Sequence, residues 1–285
     1  MKASWRAAGQ FLIKHWILVA FLIFIGGFAM TPHRIERLLV YYPTRQIREN
    51  PGTVGLDYQD IYLVTDDHVR LHGWFIPYEA AGCTLLVFHG NGGNIGDRVE
   101  WIEMLHRLGV NVFIIDYRGY GKSEGDPFEE GLYRDARAAW QWWKHERQSR
   151  GEKLILFGES LGGAVAIHLA GSVSPAGLIV QSTFTSAWDM AKTMMPIGLL
   201  QPLINVHFDS AKAMAQVRCP KLIIHGTQDE IVPFRLGRRL FEQAPDPKAF
   251  YSVPNAGHND LPWVAGEEYS RRLRMFISGI QGQSR

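Results

Sequence analysis

Apolar residues in this chain come in short unbroken runs, each separated from the next by a polar stretch and a segment of helical period. The runs 84–88, 112–115, 154–157, 178–181, 221–226 and 250–254 are too short for helices and predict buried strands. Residues 58–65 and 69–77 predict an antiparallel opening pair, with Asp66-Asp67 at the turn. Helical patterns cover 98–107, 129–147, 161–171, 235–243 and 269–280. Alternation of short strands with helices is the pattern of an α/β fold.

One apolar run differs from all the others. Residues 16–30 carry no charge, and extended back to Phe11 the run reaches a length of about 30 Å as a helix, a bilayer's hydrocarbon thickness. Lys14 and His15 lie near enough to one end to snorkel. Residues 1–30 are expected to form an N-terminal membrane anchor that Thr31-Pro32 ends, followed by a basic linker over 31–56 and a domain over 57–285. The rival reading is a cleaved signal peptide, with small residues offering a cleavage site after Ala29. Tyr41-Tyr42-Pro43 suits a bilayer interface. Basic residues on both sides of the run leave its orientation open.

Charge sharpens this division. The chain of 285 residues has a net charge of +2, but residues 1–56 hold seven Lys or Arg against Glu36 and Glu49, so the remainder is acidic. A basic arm beside an acidic domain points to anionic lipid headgroups and not to nucleic acid; flanking charges that merely stop a membrane helix account for it as well. The two cysteines and eleven histidines do not fall at zinc-ligand spacing, so no metal is expected. Arg118-Gly119-Tyr120-Gly121-Lys122-Ser123 ends like a phosphate-binding loop, but Asp116 stands where the leading glycine belongs.

Candidate chemistry centres on Gly158-Glu159-Ser160-Leu161-Gly162, between the apolar run 154–157 and a helical segment. A strand that turns sharply into a helix at a serine exposes the hydroxyl, and the flanking glycines are what sterics require there. Such a nucleophile needs a base, an orienting acid and donors for an oxyanion. The loop His89-Gly90-Asn91-Gly92-Gly93-Asn94 follows a buried strand, and its glycines let backbone N–H groups approach a substrate. The N–H groups of Asn91 and Leu161 are the expected oxyanion donors, with Gly92 as substitute for Asn91. Asp229 and His258 each sit in a loop after a later strand, giving the chain order Ser160, Asp229, His258. Asp116 also ends a strand and competes for the acid's role; bracing the following arginine–glycine turn is the better reading of it. Glu230 is expected to point elsewhere, and His89 and His225 to make structural hydrogen bonds.

These residues, with Asp116-Tyr117-Arg118-Gly119-Tyr120-Gly121-Lys122-Ser123, identify the chain by resemblance as similar to the alpha/beta-hydrolase superfamily, and to its small membrane-anchored members. The resemblance spans residues 57–279. It implies an eight-stranded, mostly parallel sheet with helices on both faces and a short lid over 183–220. It also implies that two strands part Cys83 from Cys219, leaving both as free thiols. Residues 194–204 would make an apolar acyl wall, rest on a membrane or pack on the core. The implied function is a membrane-tethered serine hydrolase of carboxylic esters or thioesters, lipid-like or on acylated proteins, with no cofactor. Alternatives are a serine aminopeptidase-like amide hydrolase and a non-catalytic membrane scaffold of the same fold.

Overall fold

Strands buried on both faces need two apolar faces of their own, and the apolar runs supply them by alternation. In the computed structural model, which describes residues 37, 40–194 and 206–282, eight strands form one sheet. They are β1 (Gln59–Val64), β2 (Arg70–Ile76), β3 (Cys83–Phe88), β4 (Asn111–Ile115), β5 (Lys153–Glu159), β6 (Gly177–Gln181), β7 (Lys221–Gly226) and β8 (Lys248–Val253). Their order across the sheet is β8-β7-β6-β5-β3-β4-β2-β1. Only β2 runs against the rest, pairing antiparallel with both β1 and β4. This is the alpha/beta-hydrolase architecture that the resemblance implied.

Successive residues of the central strands belong to opposite cores. Leu86, Phe88, Phe113, Leu156 and Val180 pack with helices α2 (Glu129–Glu146) and α3 (Leu161–Ser172). Leu85, Val87, Ile114, Ile155 and Ile179 face the other way, onto α1 (Val99–His106) and α8 (Glu267–Gly282). A one-residue slip in any of these central strands would exchange the two sets, so their register is firmly specified. Cys83 on β3 and Cys219, just before β7, are free thiols, with β5 and β6 between their strands.

Three short helices escape the sequence pattern: α4 (Ala187–Met194), α5 (Ser210–Met214) and α7 (Leu261–Ala265). The remaining helix, α6 (Phe234–Gln243), begins one residue earlier than expected. The expected lid begins with α4 and returns through α5. Glu129 at the start of α2 accepts hydrogen bonds from the N–H groups of His207 and Phe208, both at 2.7 Å, and so pins the returning limb. Most of the proposed acyl wall, residues 195–204, lies outside the described residues, as does the expected anchor over 1–30. Among the described residues no helix is long and apolar enough to cross a membrane.

The segment before β1 departs from a plain linker. Tyr41 is buried in the core and packs edge-on to Phe208, while Tyr42-Pro43 forms a two-residue parallel ladder with Gly92-Gly93. A 3-10 turn at Pro51–Val54 follows, capped by Asn50. From Val40 onward this segment is therefore laid against the domain.

Candidate active site

The turn from β5 into α3 is built as its glycines require. A Cβ on Gly162 would collide with the carbonyl oxygen of Phe88, and one on Gly158 would strike the Gly162 backbone. Between them Ser160 is held at φ +52°, a left-handed conformation costly for a residue with a side chain. Its N–H donates to the Gln181 carbonyl at 2.9 Å, and its carbonyl accepts from Thr183 Oγ1 at 2.8 Å. The strain is thus fixed from β6 and the loop after it.

Residues distant in sequence meet at this hydroxyl. Ser160 Oγ lies 3.1 Å from His258 Nε2. His258 Nδ1 stands 2.9 and 3.0 Å from the two oxygens of Asp229. Burial works against the charge of Asp229, but hydrogen bonds from His225, His258 and the Val232 N–H hold its carboxyl well below the usual range. Ionised Asp229 can only accept, so His258 Nδ1 carries the hydrogen and Nε2 presents a lone pair to Ser160. The group as arranged can move a proton off the serine and pass it on.

Further neighbours support this line. His225 is fully buried at the end of β7, with Nε2 2.8 Å from the Val232 carbonyl and 3.3 Å from Asp229 Oδ2. Glu230, expected to point away, accepts from the His258 N–H at 3.3 Å, and Ser182 Oγ donates to the His258 carbonyl at 3.2 Å. The four-residue spacing of His225 and Asp229 across one strand end was the available signal for the first contact.

The loop after β3 forms the opposite wall. Gly90, Asn91, Gly92, Ser160 and His258 line one cavity of about 370 Å3. The Asn91 carbonyl accepts from the Tyr42 N–H at 3.0 Å and from the Tyr120 hydroxyl at 2.8 Å, and its side chain donates to the Val40 carbonyl. Leu161 is the first residue of α3, where backbone N–H groups have no partner within the helix. A helix start and a cradled loop thus flank the serine, the surroundings an oxyanion requires.

Asp116 does not reach Ser160's partners. It is buried between His72 Nδ1 at 3.9 Å and His89 Nε2 at 3.6 Å, and accepts from the Ile95 N–H at 3.0 Å. Burial opposes its charge, yet these contacts keep its carboxyl below the usual range. It braces the glycine loop and also lies against Gly121 of the arginine turn, where its carbonyl accepts from Ser123 Oγ at 2.7 Å; Asp135 clamps the same turn, accepting from the N–H and Nε of Arg118 at 2.8 and 2.9 Å. Among the described residues no cluster of His, Cys, Asp or Glu is arranged to hold a metal.

Comparison with known proteins agrees with this fold. Residues 80–210 match a family described as serine aminopeptidase, S33. The chain is 34% identical to an alpha/beta hydrolase domain-containing protein of Arabidopsis thaliana, over 92% of this chain and 94% of that one. It is 32% identical to an uncharacterized membrane protein of Saccharomyces cerevisiae, over 90% and 95%. An esterase structure from Pyrococcus furiosus superposes with a TM-score of 0.72 at 22% identity, covering 85% of this chain and all of that one.

Proposed function

The chain belongs to the alpha/beta-hydrolase superfamily, and from that premise we propose a membrane-tethered serine hydrolase of carboxylic esters or thioesters. The observation that carries the reading is the unbroken contact from Ser160 Oγ through His258 to Asp229. Ser160 attacks the acyl carbon while His258 Nε2 takes its proton. The N–H groups of Asn91 and Leu161 receive the oxyanion, and Asp229 holds the imidazole and steadies its charge. The leaving group departs with the proton from His258. Water then follows the same route in reverse and frees the acid. Each step uses groups of the chain alone, with no cofactor.

Tethering rests on the apolar run of residues 11–30 and on the name of the yeast relative. Acyl groups on lipids or on proteins at that surface fit such a placement. The family description favours a second reading, cleavage of amides at a free amino terminus.

A fluorophosphonate probe applied to the detergent-solubilised protein tests the nucleophile, with Ser160→Ala as blank. Labelling of the wild type alone is expected, together with turnover of activated esters above that of amino-acyl amides. Equal labelling of the variant removes Ser160 as the nucleophile, and no labelling of either protein favours the scaffold. Faster amide cleavage selects the second reading. The acyl-chain preference then sorts short esters from lipid or acyl-protein substrates.

A further inference from the structure

Exposed apolar side chains gather at the mouth of the catalytic cavity. Ile231 lines that cavity and is 40% exposed. Trp263, 62% exposed, lines the adjoining cavity, which shares Asn259 with the first, and the exposed Val264 follows it on α7. The exposed Tyr42 is paired with Gly92 on the opposite wall. Elsewhere among the described residues such side chains are spread out: Tyr62 and Val64 on the edge strand β1, Tyr78 after β2, and Met275 on α8. Scattered apolar residues are ordinary on a protein surface; a group that rims one opening marks a place that meets something apolar.

Each member of the rim is fixed through its backbone to a loop of the site. The Tyr42 N–H donates to the Asn91 carbonyl at 3.0 Å, and the Ile231 N–H to Asp229 Oδ1 at 3.0 Å. The N–H groups of Trp263 and Val264 donate to the Asp260 carbonyl at 3.0 and 2.9 Å. Asp260 Oδ1 in turn accepts from the N–H of Gly257, next to His258, at 2.7 Å. Leu261 and Pro262 are buried beneath, so α7 turns its tryptophan and valine outward.

The chain itself indicates what the rim meets. The apolar run 11–30 ends nine residues before Val40, whose carbonyl takes the Asn91 side chain at this same mouth. A bilayer that holds the run is therefore within reach of the rim. Tryptophan and tyrosine favour the headgroup level, where an apolar body and a polar tip are both satisfied. Charges about the mouth are of both signs, Arg48 and Arg98 against Glu49, Asp97, Glu100 and Glu159, and Asp260 and Glu267 flank α7. Anionic lipid is thus not called for, and a zwitterionic surface suffices.

We propose that Tyr42, Ile231, Trp263 and Val264 dock the mouth of the catalytic cavity onto the bilayer interface, so that an acyl chain passes from lipid to Ser160 directly. The inference rests on the tethered-hydrolase reading and deepens it by naming the surface that meets the substrate.

The full chain reconstituted in phosphatidylcholine vesicles tests it. An NBD fluorophore on Val264→Cys should be quenched by doxyl-labelled phosphatidylcholine, and one on Tyr78→Cys should not, with wild type carried through labelling as the blank. Tyr78 follows β2, whose Ile76 pairs with Val112 at the start of β4, the end of the sheet away from Ser160. Trp263→Ser should weaken the quenching at position 264. It should also lower turnover of vesicle-borne p-nitrophenyl palmitate, relative to soluble p-nitrophenyl acetate, about tenfold, the scale of burying one aromatic side chain. Equal quenching at the two positions, or none at 264, overturns the proposal. So does a blue-shifted but unquenched label at 264, which would mean that protein covers the rim, either a second copy or residues 195–205. A turnover ratio that Trp263→Ser leaves unchanged overturns it too. Extraction of the chain from the vesicles by alkaline carbonate overturns the tethering, and the inference with it. Failure to release nitrophenol from either ester overturns the hydrolase reading itself.

Discussion

His225 Nε2 stands 3.3 Å from Asp229 Oδ2, the same oxygen that lies 2.9 Å from His258 Nδ1. One carboxylate oxygen thus lies between two imidazoles, and only one of them faces the serine. His225 acts on the chemistry through Asp229 and is a positioning residue. Replacing it with Phe removes a polar contact to Asp229 and leaves the Val232 carbonyl without this donor. We expect kcat to fall about tenfold, or about 1.4 kcal/mol, with KM little changed. Asp229→Asn, which removes the acceptor for the Nδ1 hydrogen, should cost about 10⁴ in kcat. Steady-state kinetics on one activated ester checks both; equal losses would show that His225 does more than position.

Ser160 combines a half-buried hydroxyl at the cavity wall with a left-handed backbone, and two substitutions separate the two. Ser160→Ala and Ser160→Gly should both abolish turnover. Glycine adopts φ +52° without steric cost, so Ser160→Gly should be the more stable by about 1 kcal/mol. Urea unfolding of the two inactive proteins measures the difference. Equal midpoints would mean that the elbow stores no strain at this residue.

Gly162 has the reverse problem, since any side chain there meets the Phe88 backbone. Gly162→Ala should destabilise the fold by about 1–3 kcal/mol and reduce turnover, because α3 must move off β3 to make room. The unfolding midpoint and kcat read the two effects together. A fully stable, fully active variant would contradict the close approach of β3 and α3.

Arg118 is buried between Asp67 and Asp135, donating to Asp67 at 2.8 and 3.0 Å. Arg118→Met should cost about 3–5 kcal/mol, because Asp135 is left buried without its cation. The Arg118 guanidinium holds the Asp67 carboxyl well below the usual range, and burial only partly opposes it. A depressed carboxyl stabilises the fold above its ordinary pKa and loses that contribution as pH falls through the folded value. Asp67→Asn should therefore weaken the protein at pH 7, with the gap to wild type closing between about pH 5 and pH 1. Denaturant titrations at three pH values give the test.

Both cysteine thiols are pushed up by burial to about 11. At pH 8 the native protein should react slowly with iodoacetamide at Cys83 and Cys219, and quickly once unfolded. Mass spectrometry of the alkylated protein resolves the two. Rapid native labelling of Cys83 would place it outside the core.

Much of this architecture is legible in the chain because local pattern and tertiary need coincide. A strand buried on both faces must be continuously apolar, so β3 to β7 announce themselves. Ser160, Asp229 and His258 are legible for a related reason, since each follows a strand whose end the sequence marks. What escapes is contact between residues that no local pattern joins. Asp116 does brace the arginine turn, through Gly121 and Ser123, but its pairing with His72, His89 and Ile95 and the part Asp135 takes in the turn had no local signal. Glu230 looked idle beside Asp229 until the loop carrying His258 folded back onto it. The short helices α4, α5 and α7 have too few turns to show a period.

Tyr42-Pro43 changes where the working unit begins. The main-chain ladder to Gly92-Gly93, with the Val40 carbonyl taking the Asn91 side chain, makes residues 40–44 one edge of the glycine loop. A shortened version starting at residue 57 would retain every strand of the main sheet and amputate that edge. The same ladder fixes a leash: from Met30 to Val40 the backbone reaches at most about 35 Å. A leader held in a bilayer would therefore keep the glycine loop within that distance of the headgroups, and tension on the leader that outlasts the Arg37–Asp126 ion pair would pass to Asn91.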